Sequence, residues 1–369
     1  MGDRIHSIDT LRAIAIFFIV IGHAQPFRGF ETYGNHVYFV LDTFGQFDVP
    51  FFFMTSGYFL GSTVTADNVV PTVKRVGRKL GSFYLFGRII SILGSVGLAL
   101  FLGISVSSVG NRLGNISMME FLYYGTALAA PLWFLTALFF AIAFVTVFVK
   151  LGRTRYLLPV AALFHIVGIV GMNFELLVEV PFRTRDALFF GFFYVALGYT
   201  LKSSDWKPDT DRKHLYLGGV GLCFALQLLE QYAVGYIIRD NVLSQGISMT
   251  QYTVTTVFFV FAVFAYALAN PQWGKNTILP FVGKYALGIY LIHVPVLRFL
   301  RAMNRVWGPA VGVDLSSTLG WQLLVPPVVA GLSLAVYLLL GKLDVIELDG
   351  NHIPWLHHLQ SRLGRASRE

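Results

Sequence analysis

The sequence has little charge: Asp, Glu, Lys and Arg make up only 13% of its 369 residues. A soluble domain usually carries about 25% charged residues, so this composition excludes an ordinary soluble fold. Cysteine is almost missing, and because Cys223 occurs alone no disulfide can form within the chain. The sequence also lacks a Walker A loop, a dinucleotide fingerprint, a Gly-x-Ser-x-Gly elbow and a His-Glu-x-x-His pair. No motif therefore supports those nucleotide-binding, hydrolase or zinc-protease classes.

Long apolar runs are what the sequence has in excess. Hydrophobic residues make up 55% of the chain, Phe alone occurs 34 times, and the mean hydropathy is +0.64. A membrane-spanning helix needs roughly 17–25 mostly apolar residues. Ten runs fit that length, at about 11–27, 45–63, 81–103, 131–149, 156–174, 186–201, 214–237, 252–270, 281–300 and 321–341. We therefore expect an all-α polytopic membrane protein with about ten transmembrane helices.

The basic residues indicate the orientation. The net charge of +8 comes from Lys and Arg in short clusters between the apolar runs, which is the pattern of topology signals and argues against a nucleic-acid partner. With a cytoplasmic N-terminus, 19 basic residues fall on the cytoplasmic side and 8 on the outer side. The positive-inside rule then predicts that both termini are cytoplasmic.

The chain divides into two parts by composition. Residues 1–341 form the predicted transmembrane domain, and residues 342–369 form a polar cytoplasmic tail. The tail contains three histidines, but no carboxylate or thiol completes a known ligand spacing. We interpret it as a solvated segment and predict no metal site.

The first apolar helix carries polar side chains on one face. Asp9 and Arg12 are three residues apart and share that face. Arg12 and His23 are eleven apart, which is about three turns plus 20° and roughly 16 Å along a helix. A titratable group inside an apolar span is a functional candidate, so His23 is a candidate catalytic residue with Arg12 below it. The alternative is a histidine hydrogen-bonded between helices and an arginine that marks the end of the span.

A second basic group, Lys74-Arg75-Val76-Gly77-Arg78-Lys79, falls in a predicted cytoplasmic loop on the same side as Arg12. Lys74, Arg75 and Arg78 would suit a phosphorylated ligand that arrives from the cytoplasm. The positive-inside rule alone also predicts such a cluster, so the two explanations stay open.

Other polar residues enter the apolar runs singly. Ser56-Gly57 marks a close approach of helices, and Ser56 is also a candidate for a polar path. Trp133 begins a helix where an aromatic-belt anchor is expected. His293 is a second acid/base candidate or a partner that fixes the tautomer of His23. Glu230 falls in the outer half of its run, where an acceptor would arrive. A structural role is the favoured interpretation for Trp133, His293 and Glu230, whereas for Ser56 the two roles stay equally open.

Taken together, these stretches resemble the acyltransferase family 3 of integral membrane acyltransferases. The motifs are Asp9-x-x-Arg12, Arg12-x10-His23, Phe52-Phe53-Met54-Thr55-Ser56-Gly57-Tyr58, the basic group, Leu132-Trp133-Phe134-Leu135 and Tyr290-Leu291-Ile292-His293-Val294-Pro295. They occur in the family's order over about residues 4–341. The form is similar to the stand-alone branch that O-acylates surface polysaccharides, because no hydrolase-like outer domain is attached.

The resemblance implies a mechanism. His23 would be catalytic with Arg12, and acyl-coenzyme A, with acetyl as the expected acyl group, would be the co-substrate with no tightly bound cofactor. Its phosphates would meet Arg12, Lys74, Arg75 and Arg78, and the acceptor would be a glycan or lipid-linked saccharide. Asp9, Ser56, Trp133, Glu230 and His293 are expected as supporting residues. We expect a multi-pass protein of the cell membrane in contact with its lipids; the oligomeric state is left open.

The competing class is transport. A flippase or exporter of a glycan or small solute would use intramembrane His and Arg to bind cargo, and it would not depend on an acyl donor. The absence of an internal repeat counts mildly against it.

Overall fold

The computed structural model describes residues 4–107, 116–126, 129–173, 183–309, 312 and 314–348. Within these ranges the chain is helical and forms no β-strand, which confirms the all-α class. The α-helices are α1 His6–Ala24, α2 Gly34–Gly45, α3 Asp48–Gly61, α4 Val69–Phe101, α5 Met118–Leu122, α6 Trp133–Lys150, α7 Leu157–Asn173, α8 Phe192–Ser203, α9 Lys213–Tyr232, α10 Val254–Ala269, α11 Leu279–Lys284, α12 Ala286–Trp307 and α13 Leu319–Lys342. Two π-helical turns, Ala187–Gly191 and Ala233–Ile237, extend α8 and α9.

Several helices can cross a membrane. Seven in the described part of the chain are long and apolar enough, namely His6–Ala24, Val69–Phe101, Ala130–Lys150, Thr154–Asn173, Thr210–Ile237, Ala286–Trp307 and Leu319–Lys342. Two more predicted spans are present as the shorter apolar helices Ala187–Ser203 and Val254–Ala269. The protein is therefore multi-pass, while the number of ten spans and the cytoplasmic termini stay predictions. Most of the tail from residue 342 onwards, with its histidines, lies outside the described residues.

The predicted loop at 28–44 is wrong, because α2 occupies its second half. This 12-residue helix contains Asn35, His36, Asp42 and Thr43, so its polarity hides it from a search for apolar runs. The predicted span 45–63 is correspondingly reduced to the 14 residues of α3.

The basic group at 74–79 is also not a loop, since it lies within the 33 residues of α4. Lys and Arg are good helix formers, so the helix continues past the point where the apolar run begins. At 1.5 Å per residue α4 is about 50 Å long, whereas the hydrocarbon core is about 30 Å thick. The basic turns therefore form the end of a helix that extends beyond the apolar layer.

Glycines allow a close contact between α3 and α8. An added methyl group on Gly57 of α3 would overlap the carbonyl oxygen of Val195 on α8, and one on Gly198 would overlap that of Met54. The two backbones therefore pack directly against each other, as small residues allow in membranes. The expected packing role of Gly57 is confirmed.

Helix α1 lies among several other helices, and packs on α2, α3, α10, α11, α12 and α13. At its start, Gly283 of α11 packs so closely that an added methyl group would overlap the Asp9 carbonyl oxygen. At its end, Gln25 takes a left-handed conformation with φ 53° and its N–H donates to the Ile21 carbonyl at 2.7 Å. The helix thus ends just after His23. The His23 side chain therefore lies where the chain leaves the helix bundle.

Candidate active site

A hydrogen bond to the backbone shows which ring nitrogen of His23 carries the proton. Its Nδ1 lies 2.8 Å from the carbonyl oxygen of Ile19, one turn earlier on α1. A carbonyl only accepts hydrogen bonds, so the proton of the neutral ring is on Nδ1. The other nitrogen, Nε2, then carries the free lone pair. The side chain is exposed to the cavity described below, so this nitrogen can act as a base or a nucleophile there.

His293 lies beside that ring. Its side chain is fully buried, and its Nδ1 donates to the carbonyl oxygen of Tyr290 at 2.7 Å. Its Nε2 is then unprotonated and lies 3.4 Å from Nδ1 of His23, with the rings at 70°. The structure therefore brings together the two histidines that the sequence predicted at similar depth, with His293 on the proton-bearing side of His23.

A cavity of about 810 Å³ opens beside the His23 ring. Helices α1, α2, α3, α6 and α12 contribute to its wall, together with the segment before α8. The chemically active side chains that line it are His23, Gln25, Tyr38, Asp42, Gln46, Asp48, Trp133, Arg185 and Tyr290. Aromatic faces, carboxylates, amides and the Arg185 guanidinium converge there, and Arg183 also lines the cavity. Such a mixture of stacking and hydrogen-bonding groups is suited to a polar organic substrate.

Arg185 presents its guanidinium to this cavity. The Cζ atom lies 4.6 Å from the centroid of the Trp133 ring, and no hydrogen bond or ion pair to another described residue engages it. Burial lowers the pKa of this guanidinium, while the carboxylate of Asp48 acts in the opposite direction. The guanidinium donors therefore have no hydrogen-bond partner among the described residues, and the group lies beside an aromatic plane.

The backbone around Arg185 is fixed by its neighbour. The Asp186 carboxylate accepts from the N–H groups of Leu188 and Phe189 at 3.0 and 2.9 Å, which caps the π-helical turn. It also accepts from the Tyr123 hydroxyl at 2.9 Å. Turns of this type occur often at functional sites. Asp186 therefore fixes the backbone next to Arg185, whose side chain lines the cavity.

The sequence analysis missed Asp42, Gln46 and Arg185 as site residues. Asp42 was assigned to a loop, and Arg185 was counted only as a topology charge. Asp42 lies beside Gly22 and accepts from the Tyr38 hydroxyl at 3.0 Å. Gln46 accepts from Gln231 at 2.7 Å.

Arg12 lies at the other end of α1. Its Nη1 is 3.1 Å from Oδ1 of Asp9, and Arg4 contacts the second oxygen of the same carboxylate at 2.8 Å. The predicted pairing of Asp9 with Arg12 is thus present. The Cζ of Arg12 lies 5.6 Å from the Phe59 ring centroid, and Lys79 is near enough for its charge to act on Arg12. The Asp9 carboxylate therefore pairs with two arginines, and Lys79 adds a further positive charge near Arg12.

The other basic residues of the 74–79 cluster do not pair with Asp9 or Arg12. Lys74, Arg75 and Arg78 are exposed, and their side chains make no hydrogen bond or ion pair to a described residue. Lys79 is the member of the cluster that the helix turns toward Arg12. A role for the exposed three in donor binding stays a prediction.

Two further sequence candidates lie away from the cavity. The hydroxyl of Ser56 donates to the Phe52 carbonyl at 2.8 Å within its own helix. Glu230 accepts from the backbone N–H groups of Val254 and Thr255 at 2.9 and 2.8 Å, which caps the start of α10. These contacts account for the polar side chains of Ser56 and Glu230 within apolar segments. Trp133, in contrast, lines the cavity under Arg185.

No metal centre is formed by the described residues, where no three His, Cys, Asp or Glu side chains lie close enough to share an ion. The three histidines of the tail fall outside that part of the chain.

Comparison with known proteins places the chain among acyltransferases. The profile of the acyltransferase 3 family, described as an acyltransferase domain, matches residues 5–341. An Enterococcus faecalis protein named amino-acid racemase is 28% identical over 234 residues, which cover 58% of this chain and 30% of that protein. An Enterococcus gallinarum protein named serine/alanine racemase is 22% identical over 303 residues, covering 78% and 40% respectively. The chain thus spans less than half of either relative. No protein of known structure matches it.

Proposed function

The chain belongs to the acyltransferase 3 family and is a membrane O-acyltransferase, and we propose that it transfers an acyl group from acyl-coenzyme A to a hydroxyl group of a glycan or related acceptor. The donor binds at the Arg12 end of α1, the acceptor binds in the His23 cavity, and the acyl group is acetyl. The racemase names of the enterococcal relatives describe proteins of which the match covers less than half, so that activity is not part of this proposal.

The observation that supports the proposal most strongly is the state of His23. Its Nδ1 proton is held by the Ile19 carbonyl, so Nε2 is unprotonated, and the residue lines a cavity large enough for a sugar. A general base needs this combination of a free lone pair and access to the substrate hydroxyl. Because the same nitrogen is also nucleophilic, the arrangement fits a covalent route as well.

The direct route has His23 acting as base. Nε2 removes the proton of the acceptor hydroxyl while its oxygen attacks the thioester carbonyl carbon. The carbon–sulfur bond then breaks, and the departing coenzyme A thiolate takes the proton from His23. In the covalent route, Nε2 itself attacks the thioester carbon, the carbon–sulfur bond breaks and coenzyme A thiolate leaves. The acceptor oxygen then attacks the acyl carbon, the bond from that carbon to Nε2 breaks, and the coenzyme A thiolate takes the proton of the acceptor hydroxyl.

His293 supports either route. While His23 carries a second proton or an acyl group on Nε2, its ring becomes cationic and the Nδ1–H becomes a stronger donor. The Ile19 carbonyl at 2.8 Å and the lone pair of His293 at 3.4 Å both accept on that side. This arrangement stabilises the charged ring, in the way that a hydrogen-bonded partner orients the base of a catalytic triad.

The donor end is assigned from charge and length. Arg12 and Lys79 face each other near one carboxylate, which leaves positive charge for the phosphates of coenzyme A. Arg12 and His23 are separated by about 16 Å along the helix. A donor with its phosphates at Arg12 and an extended pantetheine arm would bring its thioester toward His23. Lys74, Arg75 and Arg78 would strengthen the positive field around the entry.

The acceptor end is assigned from the cavity lining. Trp133 offers a stacking face, and the carboxylates and amides offer hydrogen-bond partners for hydroxyl groups. Arg185 supplies charge-assisted donors to the acceptor or to the oxygen that becomes negative during transfer. A surface glycan or a lipid-linked saccharide in the cell membrane is the proposed acceptor.

Donor consumption tests this function directly. The purified protein in lipid nanodiscs is given acetyl-coenzyme A, and release of free coenzyme A is followed with and without a mixture of saccharide acceptors. We expect slow release alone and faster release with acceptor, together with label transferred from [14C]acetyl-coenzyme A. A protein that neither binds nor consumes the donor, but moves saccharide across a vesicle membrane, would instead be a transporter.

A further inference from the structure

A second cavity, of about 850 Å³, lies at the His23 end of α1. It is bounded by the residues that follow α1, the second half of α12 and the start of α13. Three arginines line it, Arg28, Arg301 and Arg305, with Trp321 and Gln322 on the α13 side. Nothing in the acyl transfer described above uses these arginines.

Arg301, which lines the second cavity, is hydrogen-bonded to the end of α1. Its Nη2 donates to the carbonyl oxygens of His23 and Ala24 at 3.2 and 2.8 Å. A cation at the C-terminus of a helix satisfies carbonyls that have no partner within the helix. The wall of the second cavity is therefore bonded to the backbone of His23 itself.

The positive charge of the cavity is not neutralised from within. Asp314 is the carboxylate among its lining residues, and its Oδ1 accepts from Asn304, from the backbone N–H of Ser316 and from the Ser316 hydroxyl at 2.9, 2.9 and 2.6 Å. Those hydrogen bonds lower the pKa of Asp314, and no ion pair links it to an arginine among the described residues.

Two of the arginines have their donors free. Neither the Arg28 nor the Arg305 guanidinium makes a hydrogen bond to any residue that the structure describes. Arg28 also acts electrostatically on Asp42 of the first cavity without contacting it in an ion pair. The residues that line the second cavity therefore include three guanidinium groups and one carboxylate. Oδ1 of that carboxylate already accepts hydrogen bonds from Asn304 and Ser316.

The two cavities are neighbours, because Gln25 lines both. We propose that the second cavity binds a phosphate group of the acceptor, while the hydroxyl to be acylated lies at His23. Guanidinium groups bind phosphate through paired, charge-assisted hydrogen bonds, so three of them select an anionic acceptor over a neutral one. The acceptor class is then a phosphorylated or phosphodiester-linked saccharide. The assignment of the acceptor class rests on the proposed function. The presence of an anion-binding site in the second cavity does not depend on it.

The anion site is tested first without any reaction. The full chain in phosphatidylcholine nanodiscs is titrated with inorganic pyrophosphate in a calorimeter. The double variant Arg28→Gln/Arg305→Gln removes the free guanidinium groups and keeps Arg301, which holds the end of α1. Arg298→Gln, an exposed arginine on the same helix that does not line the cavity, is the matched control.

We expect the Kd for pyrophosphate to rise by at least about tenfold in the double variant, as the loss of charge-assisted contacts requires, and to stay unchanged in Arg298→Gln. Absence of binding to the wild type, or an equal Kd in wild type and double variant, would overturn the site.

Two sources of phosphate are then distinguished. Native mass spectrometry with added phosphatidylglycerol reports whether a lipid headgroup occupies the arginines. We expect equal retention of this lipid by wild type and double variant. Selective loss in the double variant would assign the cavity to a phospholipid and overturn the acceptor assignment.

The acceptor itself is tested with a matched pair, N-acetylglucosamine and N-acetylglucosamine 1-phosphate, in the presence of acetyl-coenzyme A. We expect at least about tenfold lower KM for the phosphate in the wild type, and no such difference in the double variant. If the donor is consumed and the phosphate gives no advantage, this inference fails. If the donor is not consumed at all, the proposed function fails and the pyrophosphate titration still reports on the cavity.

Discussion

Nε2 of His293 lies 3.4 Å from Nδ1 of His23, although the two residues are 270 positions apart in the chain. The hydrogen bonds of both rings to backbone carbonyls assign a proton to each Nδ1. His293 therefore faces His23 with a lone pair, and His23 faces the cavity with its own. In the proposed reaction, this contact would orient the reacting nitrogen of His23 and stabilise positive charge on its ring.

Replacement of His293 tests this contact. We expect His293→Leu to lower kcat by roughly tenfold, about 1.4 kcal/mol of transition-state stabilisation, with little change in KM for acetyl-coenzyme A. His293→Gln keeps an acceptor atom on the side of His23 and should recover much of the rate. The measurement is steady-state coenzyme A release in nanodiscs. Full activity in the Leu variant would show that the contact has no catalytic part.

Arg185 is expected to act on the acceptor side. Arg185→Gln removes the charge from the face of Trp133 and should lower acceptor-dependent transfer by about tenfold or more, since a hydrogen bond to a charged group contributes roughly 1.5–3 kcal/mol. Donor hydrolysis without acceptor should change much less. Arg298→Gln, with the same change of charge at an exposed position, should behave like the wild type. Equal effects on both activities would place Arg185 outside acceptor binding.

The donor end makes a different prediction. Arg12→Gln and Lys79→Gln should each raise KM for acetyl-coenzyme A several-fold, and about tenfold or more together, with a smaller effect on kcat, because they bind phosphate remote from the thioester. Neutralising Lys74, Arg75 or Arg78 should have smaller effects that disappear at high salt, since exposed charges are screened. Arg153→Gln, exposed in another segment, is the control. An unchanged KM in the Arg12/Lys79 double variant would contradict donor binding there.

The packing of α3 on α8 predicts a stability effect. Gly57→Ala forces a methyl group against the Val195 carbonyl and should cost about 1–3 kcal/mol or more, as overpacking does. Gly81→Ala, inside α4 with nothing within 4 Å of the added carbon, should be neutral or stabilising by up to about 1 kcal/mol. Thermal unfolding in detergent compares the two. A Tm for Gly57→Ala equal to that of Gly81→Ala would contradict the close contact.

Much of this architecture follows from the sequence by simple physics. Apolar runs locate most of the long helices, because backbone polar groups in a bilayer must be paired within the helix. The three-residue spacing of Asp9 and Arg12 correctly gives their ion pair, and the histidines at positions 23 and 293 are correctly expected to lie at similar depth. Local spacing and hydropathy are sufficient for these features.

The remainder depends on contacts that hydropathy does not report. A short polar helix such as α2 has too few apolar residues to register, so Asp42 was assigned to a loop. Helix α4 continues through its basic residues because helix propensity, and not hydropathy, decides where it begins. Arg185 carries no local sign of its position over Trp133, since that contact joins distant segments. Glu230 looked like a site residue because a carboxylate that caps another helix has the same sequence signature.

The most direct test of the account concerns His23 alone. Coenzyme A release from acetyl-coenzyme A is measured in nanodiscs for the wild type, for His23→Ala and for His36→Ala, an exposed histidine on α2 that lines neither cavity. With equal thermal stability in all three, we expect a loss of at least about 100-fold in His23→Ala, as for other acid–base catalysts, and none in His36→Ala. Wild-type turnover in a folded His23→Ala protein would contradict the central claim that this nitrogen performs the transfer.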